Sequence, residues 1–305
     1  MIELQNVSRW YGQVIGLNDV TCTIPTGLTA LLGVNGAGKS TLMRLVTGQI
    51  KPTTGSVSVL GHTPFSNPEV YKVLGYCPEI DSFYEHMSGR EFVRLLARMA
   101  GYGPTEANRR TDAMIERVGM ADRANRRIAG YSKGMRQRIK LAQAMVHDPQ
   151  IILLDEPLNG LDPVGRRDFI NLLGELAAEG KAIVVSSHIL FEVEQMTKSI
   201  LLLHRGRLLA SGDLRVIRSL IDKHPHQVRI QTDEPRKAAS ILAALPNVVS
   251  LGFAPDGETL EIQVRDPDSF YDKFAEVVAQ EHLPIHSLSS PDNNLESVFR
   301  YLVGP

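Results

Sequence analysis

The sequence is poor in cysteine: it has two, Cys22 and Cys77, set far apart. That excludes a disulfide framework and a paired metal or redox motif, and a reducing cytosol fits best. Long apolar runs are also missing. Stretches such as IILL at 151–154 and SILLLH at 199–204 fall well short of the roughly 18 to 20 residues that a membrane span needs. Any membrane part is therefore expected to come from another chain. The opening MIELQNVSRWYG carries Glu3 and lacks the basic start and apolar stretch of a secretory signal, so secretion is not expected. Nor does one sign of charge dominate. The 33 Lys plus Arg against 34 Asp plus Glu leave a net charge of −1, which argues against a broad basic surface for nucleic acid. A local site for a small anion remains open.

What is present describes a folded protein. The 305 residues are 43% hydrophobic and 22% charged, near globular averages, and at roughly 150 residues per domain they make two domains or one large one. Alternation over 2–7 and 19–24, then the apolar run 28–32, predicts strands separated by turns at Gly12, Gly16 and Thr26-Gly27. Helical spacing follows at 39–47, a turn at 52–55 and a strand at 56–60. From Ser88 to His147 the pattern is helical, opening on a capping box with Ser88 and Glu91 three apart and passing through 105–118 and 134–147. Strand 151–154, helix 163–179 and strand 182–185 imply parallel pairing. After a break at 222–225 the order is strand 227–232, helix 235–244, strands 248–253 and 259–264, helix 269–280, strand 284–289. That is the βαββαβ of a split-βαβ, ferredoxin-like domain. No internal repeat is present.

Gly33-Val34-Asn35-Gly36-Ala37-Gly38-Lys39-Ser40-Thr41 matches GxxxxGK[ST], follows an apolar strand and opens a helix, the context a phosphate-binding loop requires. Glycines let backbone amides turn toward phosphate oxygens, and the helix start adds roughly half a positive charge. Lys39 is expected to reach the β and γ phosphates, and Ser40 to offer its hydroxyl to Mg²⁺. The apolar strand at 151–154 ends on Asp155-Glu156. Asp155 is expected to hold the metal, and Glu156 to face a water aligned on the γ phosphate, because phosphoryl transfer depends mainly on positioning and charge stabilisation.

Between those motifs lies Tyr131-Ser132-Lys133-Gly134-Met135-Arg136-Gln137. Beyond them come Leu158-Asn159-Gly160-Leu161-Asp162-Pro163 and Val184-Val185-Ser186-Ser187-His188. In this order the segments resemble the signature motif, D loop and switch histidine of the ATP-binding cassette family, over about residues 2–215. The resemblance implies an α/β P-loop NTPase cassette with a RecA-like core, an N-terminal antiparallel β-subdomain and a helical subdomain at about 88–147. The cassette is expected at 1–222, and the small α+β ferredoxin-like domain at 223–305 is expected to be regulatory or dimer-supporting.

In that family two cassettes meet head to tail, each ATP lying between one phosphate loop and the other chain's signature segment. The resemblance thus implies that Ser132 and the Gly134 amide contact the γ phosphate bound to a second copy, and that Asp162 signals across the dimer. It also implies that His188 bonds the γ phosphate and orients the attacking water, and that Tyr11, in Arg9-Trp10-Tyr11-Gly12, stacks on adenine. A reading in which Trp10 or Tyr11 only covers the β-subdomain also fits.

Two motifs depart from the family pattern. YSKGM stands where LSGGQ is usual, keeping Ser132 and Gly134 but placing Lys133 and Met135 for Gly and Gln. In Gly75-Tyr76-Cys77-Pro78-Glu79, Glu79 occupies the place of the usual glutamine. It keeps an oxygen for Mg²⁺ or water, gains a charge and loses two donors, and a solvated loop is the other reading. In the following segment, 80–89, Phe83, Tyr84 and Met87 are expected to be exposed, near where the family receives a membrane subunit; core packing there fits equally.

The expected function is the ATP-hydrolysing subunit of a transporter, most similar to bacterial export-type cassettes. ATP and Mg²⁺ are the expected cofactors. A homodimer on the cytoplasmic face of the membrane, with separate membrane subunits and no nucleic acid, is the expected assembly. A soluble cassette ATPase acting on a macromolecular machine is the rival, although it normally has two cassettes or a long coiled-coil insert. A non-catalytic regulator is disfavoured by the retained Lys39, Asp155, Glu156 and His188.

Overall fold

The computed structural model describes residues 1–213, 217 and 225–291, in two compact units, Met1–Gly212 and Asp213–Pro305. The expected break at 222–225 and its boundary at 222/223 lie largely outside the described residues.

The first unit opens with β1 (Ile2–Tyr11) and β2 (Val14–Ile24), an antiparallel pair that turns at Gly12, where φ is +61°. β3 follows at Gly27–Leu32, and β4 (Thr54–Val59) pairs with the far edge of β1 to complete an antiparallel sheet of order β2-β1-β4. Gly16 is not a turn, as its sequence context predicts, but lies inside β2. A Cβ there would stand 2.8 Å from the Tyr11 ring and 3.0 Å from Thr41 Oγ1, so it is close packing that calls for glycine at this position.

The central sheet has the order β5-β6-β7-β3-β8-β9, built from β5 (Leu74–Cys77), β6 (Ile151–Leu154), β7 (Ala182–Ser187), β8 (Ser199–His204) and β9 (Arg207–Asp213) together with β3. The pairs β5/β6, β6/β7, β7/β3 and β3/β8 are parallel. Every residue of β6 is buried, and the reason is cover on both faces. Ile151 and Leu153 pack with Leu42 and Val46 of α1 (Lys39–Val46), whereas Ile152 and Leu154 pack with Phe92, Ile139 and Phe169. The sequence reading lacked β5 and the short α2 (Pro68–Val73) before it. A four-residue strand containing Gly75 has little pattern of its own and exists by pairing with β6.

Three helices form the expected helical subdomain: α3 (Gly89–Met99), α4 (Pro104–Arg117) and α5 (Lys133–Met145). The capping box is closed on both sides, with Glu91 N donating to Ser88 Oγ at 3.2 Å and Ser88 N donating to Glu91 Oε2 at 2.8 Å. Before α3, Tyr84 is exposed as predicted, but Phe83 is half-buried and meets Phe92 edge-on at 5.1 Å; Met87 is also half-buried. Apolar contact with the α3 core draws in Phe83, which a polar loop context placed outside. Helices α6 (Pro163–Ala178) and α7 (Leu190–Met196) complete the unit.

In the second unit, β10 (His226–Thr232), α8 (Pro235–Leu242), β11 (Val248–Phe253), β12 (Thr259–Val264), α9 (Pro267–Glu281) and β13 (Ile285–Ser289) follow the βαββαβ order. The antiparallel sheet runs β11-β12-β10-β13, the split-βαβ arrangement. Val228, Ile230, Leu260 and Ile262 pack under Leu242, Phe270 and Phe274, while Gln227, Arg229 and Gln231 alternate to the exposed face.

Candidate functional site

Parallel pairing brings strand carboxyl ends to one edge of a sheet, where open α/β sheets bind ligands. Leu32 pairs with Ser187, Leu154 with Val185 and Cys77 with Leu154. The segments leaving β3, β6, β7 and β5 therefore meet, and they line one cleft of about 630 Å³. Its walls include Tyr11, Asn35, Gly36, Ala37, Gly38, Lys39, Ser40, Thr41, Glu79, Asp155, Glu156 and His188.

The phosphate-type loop owes its shape to its glycines. Gly36 and Gly38 have φ of +81° and +109°, and a Cβ on Gly38 would stand 2.6 Å from the Gly16 carbonyl oxygen. Gly38 is the N-cap of α1 and no side chain caps that helix, so its first N–H groups are left for a ligand in the cleft. Lys39 is buried. Its Nζ donates to the Gly33 carbonyl at 2.6 Å and stands 3.4 Å from Glu156 Oε1.

Asp155 and Glu156 would point to opposite faces if the strand simply continued. Instead Glu156 takes a left-handed φ of +49°, and both carboxylates reach the cleft. Ser186 holds this turn: its Oγ donates to Asp155 Oδ1 at 2.6 Å and accepts from Glu156 N at 2.8 Å. Glu156 Oε2 lies 2.9 Å from His188 Nδ1, so the carboxylate stands between a histidine and a lysine. A base flanked this way can orient a water while its charge stays balanced. Tyr11 leans over Gly16 at the cleft mouth with the Arg9 guanidinium 5.0 Å from its ring centroid, leaving ring surface for a flat ligand.

Among the described residues no group of three or more His, Cys, Asp or Glu side chains is placed to hold a metal by itself. Mg²⁺ needs none beside a nucleotide, since it keeps waters and binds through one or two carboxylates plus substrate phosphates. The donors fit that demand: an exposed Ser40 at the start of α1, a buried Asp155 at the end of β6, and Glu79 on the same cleft.

Ser132, Gly134 and Asp162 do not line this cleft. They share a separate depression of about 680 Å³ with Met135, Leu161 and Gly165. Ser132 caps α5 by accepting from Met135 N at 3.3 Å, and Asp162 caps α6 by accepting from Gly165 N at 3.0 Å, so two helix starts open onto one surface.

The sequence reading missed three residues. Ser186 lies two residues before His188, and a small polar residue at that place is the available signal. Asn159 lines the cleft beside Glu156. Buried Glu192 joins Ser187 Oγ, at 3.1 Å, to Arg166 of α6, at 3.3 Å, and nothing in its helical context marked it.

Comparison with known proteins agrees with this geometry. The family described as ABC transporter matches residues 17–159. The uncharacterized ABC transporter ATP-binding protein YxlF of Bacillus subtilis (strain 168) is 35% identical over 219 residues, 72% of each chain. The bacitracin transport ATP-binding protein BcrA of Enterococcus faecalis is 30% identical over 307 residues, covering 100% of this chain and 96% of its own length. A solved dimeric structure of a bacterial ABC transporter cassette aligns over 70% of this chain and 99% of its own, with 26% identity and a TM-score of 0.65. Two units, a glycine loop at the end of β3 and a carboxylate pair at the end of β6 thus belong to a known line of proteins: the chain is a member of the ABC transporter family, an ATP-binding subunit with the cassette fold of its ATPases.

Proposed function

We propose that two copies of this chain meet head to tail and hydrolyse ATP at sites shared between them, driving export through separate membrane subunits from the cytoplasmic face. The separation of the two surfaces carries this reading. The cleft has a phosphate loop but lacks Ser132 and Gly134, and the depression holding those residues and Asp162 has no phosphate loop. Each surface is half of a site, and a second copy supplies the complement. The dimeric cassette supports the pairing, and the bacitracin transport protein, alike over the whole chain, supports a transport role.

In this reading the loop amides and Lys39 hold the β and γ phosphates, and Tyr11 stacks on the base. Ser40 and Asp155, with Glu79 beside them, would hold Mg²⁺, which when bound would neutralise charge at the transferred phosphoryl group. Glu156 positions the attacking water and takes its proton, and His188 fixes that carboxylate and reaches the γ phosphate. Ser132 and the Gly134 amide close the site from the second copy, and Asp162 reports that closure across the dimer. In this reading other chains supply the translocation path; among the described residues no helix is long and apolar enough to cross a membrane.

Complementation between mutants tests the shared site. Lys39→Ala removes a phosphate loop and Ser132→Arg fills the opposite surface, so neither homodimer should trap nucleotide with a γ-phosphate mimic. Mixed dimers regenerate one complete site and should trap no more than one nucleotide per dimer. Mixed dimers that demonstrably form and trap none would sink the arrangement.

A further inference from the structure

Lys140, in the third turn of α5, is among the largest fully buried side chains, with 1% of its surface exposed. A buried ammonium is costly unless all three of its donors are used. Here all three go to one short loop: Nζ donates to the Pro78 carbonyl at 2.9 Å and the Glu79 carbonyl at 3.0 Å, and stands 3.1 Å from Asp81 Oδ1. One helical turn earlier, Arg136 grips Glu85 with two bonds of 2.6 and 2.9 Å. Two cations four apart on α5 thus hold two carboxylates four apart in the loop. An apolar side chain at 140 would fill the same space and leave both carbonyls without a donor. Burying a charge there makes sense if the loop's position matters more than the packing.

We infer that Lys140 is a positioning residue for Glu79, turning two consecutive carbonyls toward α5 so that the Glu79 side chain is delivered to the nucleotide cleft. The inference rests on the reading above that Glu79 stands beside the metal. It also has a reach. Ser132, which caps α5, lies eight residues before Lys140, roughly 12 Å along the helix. The surface that meets a second copy and the carboxylate in the chain's own cleft are therefore fastened to one rigid element.

The test uses the full chain with Glu156→Gln, so that bound nucleotide persists, and measures affinity for mant-ATP in EDTA and in excess Mg²⁺. Lys140→Met should keep the EDTA affinity within about twofold while losing about tenfold of the Mg²⁺-dependent gain, the usual scale for a residue that orients a metal ligand. Glu79→Ala should lose the same gain, and the double variant no more than either single one, because residues acting as one unit are not additive. A Lys140→Met loss that persists undiminished in the Glu79→Ala background overturns the inference and leaves Glu79 in place. A full Mg²⁺ gain in Glu79→Ala alone removes the underlying reading, and the inference with it. If Lys140→Met does not melt cooperatively, Asp81→Asn replaces it. A partial loss, absent when Glu79 is alanine, supports the inference, and no loss overturns it.

Discussion

His188 Nδ1 and Glu156 Oε2 are 2.9 Å apart, and the other oxygen of that carboxylate is 3.4 Å from Lys39 Nζ. The carboxylate is buried, held on one side by a residue that follows β7 and on the other by the first residue of α1. Replacing Glu156 with Gln keeps its size and removes the base. Glu156→Gln should bind MgATP and hydrolyse it about 10²-fold or more slowly. Near-normal turnover in a steady-state assay would take the role from Glu156.

Ser186 is the hinge of the same corner, bonding Asp155 and the Glu156 backbone at once. Ser186→Ala leaves a buried amide and a buried carboxylate oxygen short of a partner, at about 1 to 3 kcal/mol. Denaturant unfolding should show a loss in that range, and hydrolysis should fall more than nucleotide binding. Unchanged stability would show that water replaces the hydroxyl.

The two thiols are quiet for a physical reason. Burial pushes Cys22 up to about 11 and Cys77 up to about 12. Thiolate is the reactive form, so iodoacetamide at pH 8 should label neither cysteine in the folded protein and both in urea. The sign for stability follows from pKa values raised on folding: the contribution is complete below the ordinary thiol value near 9 and is lost as pH rises toward 11 and 12. Unfolding midpoints should fall from about pH 9 upward, and Cys77→Ala should flatten that fall.

The units Met1–Gly212 and Asp213–Pro305 have separate cores, and every residue lining the nucleotide cleft belongs to the first. A chain ended at residue 222 should therefore still bind ATP, as measured by equilibrium dialysis. A truncated protein that is soluble and folded but binds no nucleotide would place part of the site in the second unit.

Local chemistry was legible in the sequence. GxxxxGKS between an apolar run and a helix announced a tight glycine loop from β3 into α1, and four apolar residues ending on Asp155-Glu156 announced a buried strand. The capping box at Ser88 and the βαββαβ order of the second unit also carried over, because caps and periodicities act between residues a few positions apart.

By itself, then, the sequence determined which segment carries the glycine pattern of a phosphate loop, which strands are apolar and where helices start. Only the tertiary structure decided that Leu74–Cys77 is a strand, that Ser186 turns Glu156 toward Lys39, that Phe83 folds inward, and that Lys140 holds the carbonyls beside Glu79. Apart from Phe83, whose ring partner Phe92 is nine residues on, each of these depends on a partner tens of residues away or on a strand that supplies hydrogen bonds the segment cannot make alone. A buried polar group is defined by what surrounds it, and no local spacing records its surroundings.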